Sequence, residues 1–134
     1  MARKTVQYDC IIRFGEPKRL FYRSMVARID TSWVDVSGVS TKVYQGTIAS
    51  ADQDLNRVWR EKLQKENVLG ADWESGAISK VCKLSKVKSL ILRGVTDIPS
   101  GTQSLDWKKN TPTVMRHLLQ IVNQIRFLYE SRSV

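Results

Sequence analysis

The sequence has 134 residues, which is enough for one domain and too short for two. Apolar residues make up 42% and charged residues 26%, an ordinary globular composition that argues against disorder. No stretch approaches the roughly 20 apolar residues of a membrane-spanning helix, and the amino terminus lacks the apolar run of a signal peptide. A cytoplasmic protein without membrane contact is therefore expected.

Cysteine and histidine are scarce. Cys10 and Cys82 lie far apart in the sequence, and His117 is the sole histidine. This set predicts no disulfide framework and no zinc site. We expect no cofactor.

The net charge is +9, from 22 Lys and Arg against 13 Asp and Glu. Such an excess is compatible with a nucleic-acid partner. The basic residues are scattered, however, and no run of five or six occurs. The charge therefore favours a solvated basic surface, and a nucleic-acid-binding module stays as the lesser alternative.

The first half of the chain reads as two strands followed by a helix. Alternating apolar residues predict a strand over 4–13, and breakers make 14–40 irregular. A second strand covers 43–50. Asp52 is then expected to cap a helix that runs to about Glu66, with Gly70 as its stop.

The second half of the chain also reads as extended segments and helices in alternation. A short extended piece at 71–73 leads into a helix near 74–84. The apolar centre of 88–95 predicts a strand buried on both faces. A loop over 98–108 precedes a final helix from about Thr111 to Glu130. This order predicts an α/β fold with helices covering a sheet.

Polar clusters follow the carboxyl ends of the predicted strands, where function gathers in such sheets. They are Ser50–Asp52, Asp72–Glu74 and Arg93–Asp97. Asp97 directly follows an apolar strand, where partial burial would raise its pKa and suit it to general-acid catalysis. Arg93 lies within that strand and needs a carboxylate partner. The alternatives are structural: a turn cap, a helix cap at Glu74, or a plain ion pair.

Two segments together resemble a known family. Residues 71–82, ADWESGAISKVC, and 89–97, SLILRGVTD, are similar to the carboxyl-terminal half of methylthioadenosine/S-adenosylhomocysteine nucleosidases, within the purine nucleoside phosphorylase superfamily. That family has Met-Glu ahead of a small-residue helix, then an apolar strand, then Arg-x-x-Ser/Thr-Asp. Trp73 stands in the methionine position. Residues 46–52 and 6–9 resemble earlier parts of the family.

The resemblance implies a three-layer α/β/α fold in which 1–134 form a single partial nucleosidase-like domain. It also implies a site. Asp97 would be the general acid that protonates N7 of the purine, and Arg93 would hold the attacking water or the second carboxylate. Glu74 would bind the ribose hydroxyls, and Trp73 would pack on the ribose.

Three further residues belong to the implied substrate site. Asp54 and Leu55 would present backbone groups to the base, although the family usually has an aromatic residue where Asp54 stands. Thr96 accompanies Asp97 in the motif. The implied activity is hydrolysis of a purine nucleoside at its N-ribosyl bond, with the identity of the nucleoside, and phosphorolysis in place of hydrolysis, left open.

The family also has an amino-terminal half-domain that bears a Gly-rich loop and a water-activating glutamate, and neither has a counterpart in this sequence. We therefore expect a truncated or low-activity form. A non-catalytic remnant that binds a nucleoside or a partner subunit is the alternative. Apolar faces left open would favour a homo-oligomer or other association.

Overall fold

Four short strands form one mixed sheet in the computed structural model, which describes residues 1–9, 25–99 and 103–131. In chain order the strands are β1 (Ala2–Gln7), β2 (Val26–Arg28), β3 (Gly46–Ser50) and β4 (Val68–Asp72). Their order in the sheet is β2–β1–β3–β4; β1, β3 and β4 are parallel, and β2 is antiparallel to β1. The parallel strands therefore end together at one side of the sheet, here called the carboxyl edge.

Three helices accompany the sheet: α1 (Arg57–Lys65), α2 (Ser75–Leu84) and α3 (Gln103–Glu130). The helix α2 lies on one face of the sheet through small residues. The hydroxyls of Thr5 and Ser79 are 2.6 Å apart in the buried contact between β1 and α2. A Cβ atom added to Gly76 would lie 3.0 Å from the Cβ of Ser50, so glycine permits this close approach.

The apolar core consists of two clusters. Met1, Val34, Ile121 and Ile125 form one, which joins the start of the chain to α3. The other contains Ala2, Ile29, Ile48 and Ile91. Both clusters depend on contacts between distant parts of the sequence, as parallel pairing requires.

The segment 88–95 differs from the predicted strand. It runs beside β1. Within the described residues it joins the sheet backbone through one hydrogen bond, which the Ala2 N–H donates to the Ile91 carbonyl at 2.9 Å. The reason is that β2 pairs with β1 over Lys4–Val6. Burial on both sides is nevertheless confirmed, because Ile91 belongs to one core cluster while Leu90 and Leu92 pack against the other.

The predicted end of α1 at about Glu66 is confirmed, but its predicted cap, Asp52, and its predicted stop, Gly70, are wrong. Asn56, not Asp52, caps the helix, and its side-chain oxygen accepts a hydrogen bond of 2.9 Å from the Trp59 N–H. The helix ends at Lys65, and Asn67 takes a left-handed conformation with φ 57°. Asparagine tolerates this conformation and terminates helices much as glycine does. Gly70 is instead part of β4.

The last helix begins earlier than Thr111, so the predicted loop over 98–108 is wrong from Gln103 onward. Proline within a helix removes one backbone hydrogen bond, which is why the sequence around Pro112 reads as a helix start. Here the preceding turn is exposed, and the Thr111 hydroxyl donates to the Trp107 carbonyl at 2.6 Å.

The other predicted elements are found with shifted bounds. The strands predicted over 4–13 and 43–50 appear as β1 and β3, and the extended piece at 71–73 appears as β4. Residues 10–13 lie outside the described part. The region 14–40 was predicted as irregular, and its described portion contains β2. None of the helices described here is long and apolar enough to cross a membrane.

Candidate functional site

Asp72, the last residue of β4, is the centre of a polar cluster at the carboxyl edge. Its Oδ1 atom accepts hydrogen bonds from the Ser50 hydroxyl, 2.8 Å, and from the Ser75 backbone N–H, 2.9 Å. The Ser75 hydroxyl donates to Oδ2. The carboxylate thereby joins the ends of two strands to the start of α2, where the orphan N–H groups of a helix favour an anion.

Arg93 completes this cluster from the extended segment. Its Nε atom lies 2.6 Å from Asp72 Oδ2, and its Nη2 atom lies 2.9 Å from Glu74 Oε2. The two partners differ in exposure, since the side chain of Asp72 is 12% exposed and that of Glu74 is 54% exposed. One guanidinium therefore connects a structural carboxylate to a carboxylate that faces solvent.

Small buried residues allow these groups to approach one another. Ser50 and Ser75 are buried, and the Gly76 N–H donates to the Ser50 hydroxyl at 2.7 Å. Each serine thus serves more than one partner. The start of α2 is fixed against β3 by this arrangement, and the position of Glu74 is fixed with it.

Asp97 follows the extended segment and forms a hydrogen-bonded pair with Thr96. Its Oδ1 atom accepts a hydrogen bond of 2.6 Å from the Thr96 hydroxyl, and the carboxylate is half-buried. The Asn110 side-chain amide donates to the Thr96 carbonyl at 2.7 Å, which ties this segment to α3. Gly94 is needed here because a Cβ atom would collide with Val114 of α3.

The three remaining predicted site residues lie on the surface or near it. Trp73 is 61% exposed. Asp54 is exposed and Leu55 is half-buried, in the loop that follows β3. Burial, Asp9 and Asp54 raise the pKa of Tyr8, in that order, so Asp54 lies near the end of β1.

Of the predicted site residues, then, the structure brings Arg93 and Glu74 into contact and pairs Thr96 with Asp97. Arg93 has the carboxylate partner that its position required, but it is 39% exposed rather than buried. Three residues of the cluster were not predicted as site residues: Asp72, Ser50 and Ser75. The available signal was the position of Ser50 and Asp72 at strand ends and of Ser75 at a helix start. Within the described ranges, no three His, Cys, Asp or Glu residues are grouped so as to hold a metal ion.

No family model and no curated protein sequence matches the chain. Solved structures do match. The methylthioadenosine/S-adenosylhomocysteine nucleosidase of Helicobacter pylori, solved with butyl-thio-DADMe-Immucillin-A, superposes with a TM-score of 0.68 at 18% identity, over 92% of this chain and 59% of that one. The nucleosidase of Neisseria meningitidis, in complex with methylthio-immucillin-A, gives 0.73 at 16% identity, over 92% and 58%. The chain has the fold of these nucleosidases.

The 5'-methylthioadenosine nucleosidase of Arabidopsis thaliana, in apo form, agrees, with a TM-score of 0.63 at 18% identity over 92% of this chain and 52% of that one. The predicted three-layer α/β/α nucleosidase-like fold is thereby confirmed. The chain spans about 59% of the length of the Helicobacter pylori nucleosidase. In open α/β sheets, ligand sites generally lie outside the carboxyl ends of the strands.

Proposed function

We propose that residues 1–134 form one partial nucleosidase-like domain that binds a purine nucleoside at the carboxyl edge and cleaves its N-ribosyl bond slowly by hydrolysis. The observation that carries the proposal is the contact between Arg93 and Glu74, 2.9 Å, beside the ends of two parallel strands. The solved nucleosidases of this fold, with nucleoside analogues bound, support methylthioadenosine or adenosylhomocysteine as the substrate class. A cytoplasmic location suits such a substrate.

Glu74 is proposed to hold the ribose. Its carboxylate is 54% exposed, and Arg93 contacts it through Oε2. A carboxylate can accept hydrogen bonds from both hydroxyls of a vicinal diol, and such charge-assisted bonds are stronger than neutral ones. The neighbouring Trp73, 61% exposed, offers an apolar surface for the sugar. Loop residues Asp54 and Leu55 would lie toward the base.

Asp97 is proposed as the general acid. As the bond between C1′ of the ribose and N9 of the purine breaks, the electron pair moves into the purine, and a proton from the Asp97 carboxyl to N7 makes adenine a neutral leaving group. Thr96 donates to the carboxylate at 2.6 Å and orients it. A water molecule adds to C1′ and loses its proton to solvent.

The expected rate is low because hydrolysis needs acid–base catalysis at both the leaving group and the attacking water, and only the leaving group has an assigned residue. General acid–base catalysis at one position contributes about 10²–10⁴ in rate. Positioning of both reactants contributes several kcal/mol more. Asp97 and Glu74 serve the leaving group and the ribose, and no described residue is assigned to activate the water. We therefore expect nucleoside binding with turnover well below that of ordinary enzymes, about 1–10³ s⁻¹.

Association through apolar faces is the second part of the proposal. The helix α2 buries its small residues against the sheet and exposes Ile78, Val81 and Leu84, the last to 81%. A helix on the surface of a soluble protein ordinarily buries its apolar residues and exposes its polar ones. Exposed apolar surface of this kind marks a contact with another polypeptide surface or another copy of the chain.

The test combines calorimetric titration of methylthioadenosine with an assay of adenine release. Glu74→Gln is expected to weaken binding about tenfold or more, the effect of losing a charge-assisted hydrogen bond. Asp97→Asn is expected to leave binding intact and to reduce adenine release by about 10²–10⁴. The matched control is Glu61→Gln on α1, where the carboxylate is also exposed and paired with an arginine.

Three outcomes contradict parts of the proposal. Binding that Glu74→Gln and Glu61→Gln weaken equally would exclude Glu74 from the ribose site. Adenine release that Asp97→Asn leaves unchanged would exclude the general acid. A rate for the unmodified chain near that of ordinary enzymes would show that water activation resides in residues to which no role is given above.

A further inference from the structure

The helix α2 carries an apolar stripe on the side that faces away from the sheet. Ile78, Val81 and Leu84 follow one another three residues apart, and side chains at this spacing are neighbours on a helix surface. All three are exposed, because the helix packs on the sheet through its small residues instead. This stripe, together with Val87 just beyond the helix, is called the outer face of α2.

The turn that ends α2 keeps Val87 beside the stripe. The Val87 N–H donates to the Cys82 carbonyl at 2.9 Å, and the Lys86 N–H donates to the Lys83 carbonyl at 3.3 Å. These two bonds form the Schellman motif, in which the residue at the position of Val87 commonly contacts the helix one turn back. Val87 is exposed as well, so the apolar surface extends past the end of the helix.

The sequence around this face is rich in positive charge. From Ser75 to Thr96 it contains four lysines and one arginine but no aspartate or glutamate. Lys83 and Lys86 are exposed, and none of the ion pairs between described residues includes either of them. The outer face of α2 therefore combines exposed apolar side chains with cations that no described carboxylate pairs.

Lys86 has a backbone conformation that favours glycine. Its φ is 57°, and a residue with a Cβ atom is strained in this left-handed region. Glycine is the usual residue at this position of the motif. A cation near the end of a helix is favourable, but Lys83 already supplies one in the last turn. The strain therefore indicates a use for the Lys86 side chain other than stability.

Two other occupants fit this face less well. A symmetric contact between two copies of the chain brings the same surface together twice, which would place the lysines of both copies in one interface. Like charges across an interface oppose association. Helices that lie on membranes carry Trp, Phe or Leu on their apolar face. The outer face of α2 has one leucine and no aromatic residue, so a partner with carboxylates beside apolar side chains fits it better.

We propose that the outer face of α2 binds an acidic amphipathic segment of another protein. Apolar side chains of that segment would cover Ile78, Val81 and Leu84, and its carboxylates would pair with Lys83 and Lys86. The inference rests on the association proposed above and names its partner. Glu74 precedes the first residue of α2, and the ten-residue helix is about 15 Å long, so the cationic end lies away from the nucleoside site.

The test uses a fluorescein-labelled helical peptide of leucine and glutamate as the probe, about 18 residues long so that it can form a helix, and fluorescence anisotropy as the readout. Leu84→Ser is expected to weaken its binding about tenfold or more, because a buried leucine is lost from the contact. The matched control is Val58→Ser, which changes an exposed apolar residue of α1. Lys86→Gly is expected to raise the melting temperature and yet weaken binding, whereas Lys65→Gln on α1 should leave binding unchanged.

A peptide with lysine in place of glutamate tests the sign of the charge. Equal binding of the two peptides, no binding of the acidic peptide, or equal weakening by Leu84→Ser and Val58→Ser would overturn the inference. Lys86→Gly that binds the acidic peptide as well as the unmodified chain does would overturn the role of that lysine.

Two further measurements identify the other occupants. Sedimentation that shows a dimer of the unmodified chain and a monomer of Leu84→Ser would assign the face to a second copy. That result overturns this inference but leaves the proposed association in place. Binding to vesicles of phosphatidylcholine and phosphatidylserine in equal amounts, lost in Leu84→Ser, would assign the face to a membrane and overturn it too. Titration of methylthioadenosine into Leu84→Ser is expected to match the unmodified chain, so the nucleoside proposal is tested separately.

Discussion

The Nε atom of Arg93 lies 2.6 Å from Oδ2 of Asp72, and this ion pair joins the extended segment after α2 to the end of β4. It is largely enclosed on the carboxylate side, since Asp72 is 12% exposed. Ser50 and Ser75 donate to the same carboxylate. The ion pair between Arg93 and Asp72 therefore stabilises the fold and also helps to position Glu74.

Asp72→Asn is expected to lower the free energy of unfolding by about 2–4 kcal/mol, because an amide turns a donor toward Ser75 and leaves Arg93 without its enclosed partner. Glu74→Gln is the comparison. It removes the exposed partner of the same arginine and is expected to cost less than about 1 kcal/mol. Urea unfolding of both variants measures the difference. Equal losses would mean that the enclosed and exposed carboxylates contribute alike.

Gly76→Ala tests the close approach of α2 to the sheet. Alanine gains about 1 kcal/mol in helix propensity. The added Cβ, however, would lie 3.0 Å from Gln7 Cγ and 3.0 Å from Ser50 Cβ, and the latter cannot move without the backbone of β3. Overpacking of this kind costs about 1–3 kcal/mol, so a net destabilisation is expected. Gly70→Ala is the control, since nothing lies within 4 Å of its added Cβ. A stabilised Gly76→Ala variant would contradict the packing described for α2.

The buried hydroxyl pair of Thr5 and Ser79 is asymmetric under mutation. Ser79 also donates to the Gly76 carbonyl at 3.0 Å, so its proton has a use without Thr5. Ser79→Ala leaves the Thr5 hydroxyl buried without its partner and is expected to cost about 1–3 kcal/mol. Thr5→Val keeps the volume and is expected to cost about 1 kcal/mol. Denaturant unfolding gives both values, and the reverse order would show that Thr5 has another acceptor.

Tyr8 is expected to make stability depend on alkaline pH. Burial is the main cause of its raised pKa, and Asp9 and Asp54 add to it. The folded chain therefore retains the phenolic proton at a pH where the unfolded chain loses it. Stability is fully present below the ordinary tyrosine pKa of about 10 and falls as the pH rises above it. Tyr8→Phe should remove this part of the decline in urea unfolding at alkaline pH, and Asp54→Asn should reduce it. An unchanged slope in Tyr8→Phe would assign the decline to other tyrosines.

Much of the fold follows from local signals in the sequence. Apolar residues at Ala77, Ile78, Val81, Cys82 and Leu84 predict a helix near 74–84, and the structure confirms it at Ser75–Leu84. The errors arise where a neighbour decides the outcome. The apolar segment around Ile91 has the pattern of a central strand, but β2 pairs with β1 and leaves Ala2 as its partner. No local pattern reveals that competition.

In the candidate site, too, local sequence signals predict part of the arrangement, and contacts between neighbouring elements decide the rest. The positions of Arg93 and Glu74 at strand and helix ends predict their neighbourhood, and the structure places them 2.9 Å apart. The central role of Asp72 depends on hydrogen bonds from Ser50 and from Ser75, which bring together two strand ends and a helix start. That coincidence is a property of the sheet order, which hydrophobic periodicity does not encode.

The bond from the Ala2 N–H to the Ile91 carbonyl has a consequence for the order of assembly. The strand β1 pairs with β2 and β3 and is covered by α2, and the segment around Ile91 follows later in the sequence. Contacts between such distant residues slow folding, because a long loop must close before they form. The contacts of β1 with β3, with α2 and with the segment around Ile91 are therefore expected to form later than its pairing with the nearer strand β2.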